Sequence, residues 1–240
     1  MDEILTSIKS LHLPGMAQQW AVLQETHQTD RLSLSDGLRL MLQAERDQRR
    51  EHRNARLIKN AHFRYDACIE RMAFDASRGL DKSLVLELAS CSYIRQGVPI
   101  IITGAAGTGK SWLATALGYQ ACLLGYTVIY YNISKLFEEI ALARVQGNIS
   151  RFFEKLAKAE QLIIDDFGVR GLDGQQLLDF MEIMEDRHGR MSTIIVSQLP
   201  VANWYDIMQS NTTAADAILD RIVHSATRFE LKGDSLRRKK

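Results

Sequence analysis

Residues 98–113, VPIIITGAAGTGKSWL, decide the fold. Val98 to Thr103 form a short apolar run rich in β-branched residues, as expected of a buried strand. Gly104, Ala105, Ala106, Gly107, Thr108, Gly109, Lys110 and Ser111 then match the pattern G-x-x-x-x-G-K-[ST], and from Trp112 onward the sequence suits a helix. The glycines let the backbone curl so that successive N–H groups face inward. The helix that starts there adds the positive end of its dipole, giving a cradle for phosphate oxygens. Residues 104–112 are therefore candidates for holding a nucleotide. Lys110 is spaced to reach its β- and γ-phosphates and the Ser111 hydroxyl to ligate Mg²⁺.

Downstream, Leu162-Ile163-Ile164 is a second apolar run, ending in Asp165-Asp166. Beside a phosphate loop, Asp165 is expected to hold the metal, directly or through water, and Asp166 to orient an attacking water. An aspartate reaches less far than the glutamate common at that position, which implies slow hydrolysis or dependence on a partner. Replacing Asp166 with Asn should then abolish turnover and spare ATP binding. The run 193–197 ends in Ser197-Gln198, a polar position facing the second carboxylate. Arg221, in ILDRIV, is either an arginine offered to a neighbouring subunit's nucleotide or a surface ion pair with Asp220 or Asp216.

Strands over 127–131, 161–164, 193–197 and 227–231 alternate with helical segments near 111–124, 134–146, 150–159, 175–186 and 213–224, so a parallel sheet covered by helices on both faces is expected. Ser134 is the candidate cap of one helix, and Asn148 or Ser150 of the next. A chain of 240 residues with 46% apolar content supports one large core with an appendage. Cys68, Cys91 and Cys122 are too far apart for a C-x-x-C motif and read as small apolar side chains in a reducing compartment. No apolar run approaches the roughly twenty residues needed to span a bilayer, and MDEILTSIKSLHL is not a signal peptide, so a cytoplasmic protein is expected.

Before the phosphate loop the text is helical. Ile4, Leu5, Ile8 and Leu11 mark one helix, and Met16, Trp20 and Leu23 mark a second after Pro14-Gly15. A third starts at the capping-box-like Ser33-x-x-Asp36, with Leu38, Met41 and Leu42 as its expected buried stripe. In residues 45–64, ERDQRREHRNARLIKNAHFR, the residues Arg46, Arg49, Arg50, Arg53 and Arg56 recur at spacings of three and four on one helical side. That side is either a solvated charged face or a nucleic-acid contact made by guanidinium forks on phosphates. Residues 80–94 read as a further amphipathic helix with Leu84, Leu88 and Cys91 on a common face. The domain boundary is placed within 65–75, giving a helical arm over 1–68 and a nucleotide-binding domain over 69–240.

GAAGTGKS, LIIDDFG, SWLATALGYQACLLGYTVIYYN, SQLPVANW, ILDRIVHSA and FELKGDSLRRK together resemble the IstB helper ATPases of bacterial insertion-sequence transposition, and more distantly the DnaC helicase loaders and DnaA. The resemblance spans nearly the whole chain. It implies an AAA+ P-loop α/β fold of the initiator clade, with strand order 5-1-4-3-2 after a small all-helical N-terminal domain. It also implies binding of ATP, ADP and Mg²⁺, and head-to-tail homo-oligomers on double-stranded DNA with ATP at subunit junctions. By the resemblance Arg221 is the arginine finger donated from next door, and Gln198, with Ser197 beside it, the first sensor. The helix pair over 134–159 corresponds to a DNA-facing insertion, making Lys135, Arg144, Arg151 and Lys155 candidates for phosphate contact. The alternative for these four is plain exposure around a core of Phe137, Ile140, Phe152 and Phe153. Nine residues follow Leu231, so the helical lid that many AAA+ proteins place after the fifth strand is not expected here. Arg237 is either a second sensor or part of a loose basic end.

The function implied is ATP-dependent binding of duplex DNA, largely indifferent to base sequence, with recruitment or stimulation of a transposase. A helicase loader would share every motif and differ in its partner. A monomeric small-molecule kinase would need neither DNA nor Arg221, and a DNA clamp would use hydrolysis only to time its release.

Overall fold

The computed structural model describes residues 3–29 and 31–236 and divides into two compact units after Arg56. In the first, α1 (Glu3–Ser10) and α2 (Pro14–Glu25) lead to α3 (Leu34–Ala61), which carries the chain into the second unit. A small core gathers Ile8, Ala17, Leu23 and Met41. The expected box at the start of α3 is present, the Ser33 hydroxyl accepting from Asp36 N–H at 3.1 Å. The expected stripe is narrower than read, because Met41 is buried while Leu38 and Leu42 are exposed. The reason is a polar anchor one turn on. Glu45 is buried beside Met41 and accepts from the N–H groups of Gly15 at 2.8 Å and Met16 at 3.3 Å, two of the orphan donors that open α2. Burial pushes the Glu45 carboxyl up, but hydrogen bonds from Arg49, Met16 and Gly15 prevail and hold it below the usual range. Only glycine fits at position 15, since a Cβ there would lie 2.6 Å from the Ala44 carbonyl oxygen.

The second unit starts at Leu57 rather than beyond residue 68. Ala61 and Ala67 are buried in its core, with Leu57, Ile58 and Phe63 packed against them, so apolar packing draws the end of α3 into this unit. Single 3₁₀ turns at Ile69–Arg71 and Ala76–Arg78 precede α4 (Lys82–Leu88) and α5 (Ser92–Arg95). These replace the one helix expected over 80–94, because Cys91 is left-handed (φ 57°) and breaks it. The chain continues through β1 (Ile100–Gly104), α6 (Lys110–Leu123), β2 (Val128–Asn132), α7 (Ile133–Val145), α8 (Ile149–Lys158) and β3 (Gln161–Phe167). It finishes with α9 (Gly174–Arg187), β4 (Ser192–Ser197), 3₁₀ turns at Val201–Asn203 and Tyr205–Met208, α10 (Thr212–Val223) and β5 (Thr227–Leu231).

All five strands pair in parallel in the order β2-β3-β4-β1-β5, the order the resemblance implied. Period-two alternation sorts each strand between two cores. Ile100, Ile102, Ile163, Ile194 and Val196 face the core that includes Leu113 and Leu117 of α6. Ile101, Leu162, Ile164 and Ile195 face the core built with α7, α8, α9 and α10. Arg187 is sealed within the structure at 1% exposure and donates to the carbonyls of Leu156, Ala159 and Ser192 and to the Thr193 hydroxyl. It closes the open end of α8 against β4, and burial lowers its pKa to about 9. No described helix is long and apolar enough to cross a membrane.

Candidate nucleotide site

The loop over 104–109 arches from the end of β1 to the first turn of α6, as its sequence demands. Gly107 (φ 82°) tolerates nothing larger, because a Cβ there would meet the Ser235 hydroxyl at 2.1 Å. Lys110 is largely buried and donates to the Ala105 carbonyl at 2.8 Å, and Thr108 Oγ1 donates to the same oxygen at 2.9 Å. Trp112 packs partly buried on the α6 core. With Met72, Leu80, Leu231 and Leu236 it lines a largely apolar hollow of about 460 Å³ that also reaches Thr108 and Gly109, next to the cationic pair Arg71 and Arg78. An apolar hollow opening beside a phosphate loop suits the base of a nucleotide. Of these lining residues the sequence motif marked only Thr108, Gly109 and Trp112. Leu231 and Leu236 belong to the closing FELKGDSLRRK segment, and Met72 and Leu80 come from a segment with no motif of its own.

Ser111 and Asp165 meet: Ser111 Oγ donates to Asp165 Oδ1 at 3.0 Å. Asp165 is wholly buried and also accepts from Asp166 N–H at 2.8 Å and from the Tyr130 hydroxyl. Burial and the adjacent Asp165 charge push the Tyr130 phenol well up, so it remains a donor. The donors converging here are hard oxygens, one hydroxyl and one carboxylate, and this set fits Mg²⁺.

Asp166 sits on a bulge. Between Ile164↔Ile195 and Phe167↔Ser197, β3 carries one residue more than β4, and Asp166 adopts the left-handed region at φ 60°. Such a conformation in a non-glycine residue is costly and re-aims the side chain out of the pleat. Its Oδ2 accepts from Asn132 Nδ2 at 2.7 Å and from Arg64 Nη1 at 3.1 Å; Arg64 also lies 3.9 Å from Asp165. Asn132, not Ser134, caps α7, its Oδ1 accepting from Ser134 N–H at 3.0 Å. The amide is therefore oriented by what it caps, and its NH₂ faces Asp166. Tyr130, Asn132 and Arg64 were not singled out from sequence, although β2 does end in a polar residue beside the β3 carboxylates.

Other expected residues lie apart from this group. The Ser197 hydroxyl is buried, donating to Phe167 O at 2.7 Å and accepting from Leu199 N–H at 3.0 Å, whereas Gln198 is exposed and makes no hydrogen bond to Asp166. Arg221, late in α10, pairs with Glu185 of α9 and not with Asp220 or Asp216, and donates to Ala217 O at 2.8 Å. It lines a small crevice with Gly97, Pro99 and His188, and none of the phosphate-loop residues is part of it.

The cations proposed for DNA differ in their freedom. Arg144 is committed to the buried Asp179 at 2.5 Å, and Lys135 pairs with Glu138 at 3.1 Å. Arg151 is exposed, and Lys155 rests over the rings of Tyr131 and Phe152. Along α3, Arg49 pairs with Glu45 at 2.6 Å and Arg50 with Asp47 at 2.7 Å, while exposed Arg46, Arg53 and Arg56 have no carboxylate partner among the described residues. Arg237 lies outside the described residues.

The profile of a family described as IstB-like ATP binding protein matches residues 6–240. The chain belongs to this IstB-like family. An insertion sequence ATP-binding protein of Sinorhizobium fredii is 41% identical over 234 residues, covering 98% of this chain and 95% of the relative. A Pseudomonas aeruginosa insertion sequence ATP-binding protein is 27% identical over 239 residues, covering 100% and 89%. Among solved structures the IstB-like chain shares its fold with the DnaC helicase loader (TM-score 0.58, 17% identity, 70% of this chain and 98% of that one). It also shares it with DnaA of Aquifex aeolicus bound to AMPPCP (TM-score 0.58, 19% identity, 72% and 53%). The fold is thus the one seen in that helicase loader and in DnaA.

Proposed function

We propose that this IstB-like protein is an ATPase of insertion-sequence transposition. It assembles head to tail on duplex DNA, hydrolyses ATP at subunit junctions and recruits or stimulates a transposase. The observation that carries the reading is the 3.0 Å contact of Ser111 with Asp165 inside an intact phosphate loop, in a chain aligned over 98% of its length with an insertion sequence ATP-binding protein.

In this reading the backbone of residues 104–109 and Lys110 hold the phosphates, and the hollow at Trp112 holds the base. Ser111 and Asp165 hold Mg²⁺, which when bound neutralises charge on the β- and γ-phosphates. Asp166 orients the water that attacks the γ-phosphorus, and release of ADP and phosphate completes the turn. Arg221 has no role in its own chain's site; its place with Glu185, away from the phosphate loop, supports donation to a neighbour's nucleotide. Heterologous contacts of that kind repeat into rings or filaments. Arg46, Arg53 and Arg56 on the helical arm, with Arg151 and Lys155, supply phosphate contacts to DNA, which makes binding salt-dependent and nearly blind to sequence. The residues of the nucleotide-binding unit and the arm then divide the labour as catalyst and grip, and the protein works in the cytoplasm.

The test is ATP hydrolysis with and without duplex DNA, for the natural protein and for Asp166→Asn. The proposal expects stimulation by DNA that fades with salt, and an Asp166→Asn protein that binds ATP but does not turn over. Hydrolysis indifferent to DNA, or undiminished in Asp166→Asn, would overturn it. The fold shared with the DnaC loader leaves a helicase as the other partner class, and capture of a transposase against a hexameric helicase separates the two.

A further inference from the structure

A cleft of about 610 Å³ has Asp166 in its wall. Its wall includes His62 and Arg64 from the segment after α3, Tyr131 and Asn132 from β2, Lys135 from α7 and Lys155 from α8. Three permanent cations, Arg64, Lys135 and Lys155, and two carboxylates, Glu139 and Asp166, line it, and Lys135 is paired with Glu138 at 3.1 Å. Glu139 is already engaged by the Tyr131 hydroxyl at 2.5 Å. Lys155 has no carboxylate partner among the described residues and lies 5.7 to 5.9 Å from two aromatic centroids. Arg64 is half-exposed, with its guanidinium 5.4 Å over the Tyr65 ring and one Nη on Asp166. Lys155 Nζ also donates to the Tyr131 hydroxyl at 3.5 Å, and a cation held over a ring keeps its charge available to an anion from solvent.

Asp166 is the residue assigned above to orient the attacking water, yet its Oδ2 carries two donors, from Asn132 and from Arg64. The two donors differ in kind. Asn132 is fixed by its cap on α7, whereas the Arg64 side chain is 47% exposed and caps no helix. A phosphodiester offers a guanidinium the same planar, bidentate match as a carboxylate, and its binding is favoured further by release of counterions.

We propose that this cleft takes a backbone phosphate of the bound nucleic acid, and that the phosphate draws Arg64 off Asp166, so that Arg64 is a latch coupling DNA contact to ATP hydrolysis. The inference rests on the reading of the protein as a DNA-stimulated ATPase and adds to it the site and residue through which stimulation acts. Arg64 is a positioning residue: it acts through Asp166 and governs whether Asp166 Oδ2 is open to the water. Because the pair is exposed, the latch biases the site by a factor of about five at most, the range that solvent-screened ion pairs support. A protein without the latch leaves DNA nothing to release from Asp166, so the basal rate gained by losing the latch is lost from the stimulation by DNA.

The experiment is steady-state ATP hydrolysis by the full chain at low salt, with and without duplex DNA, for the natural protein, Arg64→Gln, Arg64→Lys and Lys155→Gln. Arg64→Gln should hydrolyse ATP up to about fivefold faster without DNA, at unchanged KM for ATP, and respond to DNA less by the same factor. Arg64→Lys should retain most of the latch. Lys155→Gln leaves the Arg64–Asp166 pair intact and should raise the DNA concentration for half-stimulation and lower the salt slope by about one. An Arg64→Gln protein slower than natural in both arms, or with a raised KM for ATP, would overturn the latch by placing the guanidinium on the nucleotide itself. Identical rates for Arg64→Gln and the natural protein would also overturn it, and an unaltered DNA response in Lys155→Gln would remove the cleft as a phosphate site. Should the natural protein ignore DNA, the proposed function fails, while the basal rate of Arg64→Gln still reads the latch by itself.

Discussion

Removing one hydroxyl at Tyr130 tests whether Asp165 is held ready for a metal. The Tyr130 hydroxyl donates to Asp165 Oδ2, while Ser111 and the Asp166 N–H occupy Oδ1. In Tyr130→Phe the ring remains, including its edge-to-face contact with Phe63 at 6.5 Å, so packing is conserved and only the hydrogen bond is lost. The nearest remaining donor to Oδ2 is Arg64 at 3.9 Å, beyond hydrogen-bond reach. A hydrogen bond to a charged, buried acceptor is worth about 2 kcal/mol, which lowers the thermal midpoint of a chain this size by roughly 4–8 °C. An unanchored carboxylate also orients a cation poorly, and loss of such a supporting contact costs about 10- to 100-fold in metal affinity. The assay is a magnesium titration of nucleotide binding, followed with a fluorescent ATP analogue, alongside thermal unfolding. Tyr93→Phe is the control: it deprives buried Gln161 of its 2.5 Å partner and should lower the midpoint without altering the magnesium dependence. If Tyr130→Phe lost stability but kept the magnesium midpoint of the natural protein, the assignment of Asp165 to the metal would be refuted.

Two further outcomes follow from groups outside the nucleotide site. Burial raises the thiols of Cys91 to about 11 and Cys122 to about 12, so iodoacetamide at pH 8 should label only Cys68 in the native protein and all three thiols after unfolding, as counted by intact mass. The Glu45 carboxyl is held below its ordinary 4.5, so its contribution to stability is present above that value and lost as pH falls through the lowered folded one. Glu45→Gln should flatten that acid limb in thermal unfolding between about pH 5 and pH 3, and an unaltered limb would contradict the anchoring of α2 by Glu45.

The sequence marked what is local. The phosphate loop is a single run of residues whose glycines, lysine and serine act where they stand, and the apolar runs before it and before Asp165 announce buried parallel strands by composition alone. Residues whose role depends on distant partners escaped. Arg64 meets Asp166 across 102 positions, and nothing in NAHFRYD distinguishes it from the other arginines of the run before it. Glu45 reads as a surface charge until Gly15 approaches it, and Arg187 reads as a helix-end cation although three carbonyls enclose it. The cap on α7 fell to Asn132 instead of Ser134 because β2 runs straight into the helix, leaving no separate turn. The break at Cys91 replaced one helix by two, since the left-handed residue there lets both halves bury apolar side chains on the same core.

In the proposed assembly one subunit's phosphate loop is completed by the next subunit's Arg221. Mixing two inactive proteins tests it directly: Lys110→Ala, which lacks the phosphate lysine but keeps Arg221, and Arg221→Ala, which has the reverse. Each alone should hydrolyse ATP about a thousandfold more slowly than the natural protein on DNA. An equimolar mixture should recover about a quarter of natural activity, the share of head-to-tail junctions that pair an intact loop with an intact arginine. An Arg221→Ala protein as fast as the natural one, or a mixture no faster than its parts, would contradict the claim.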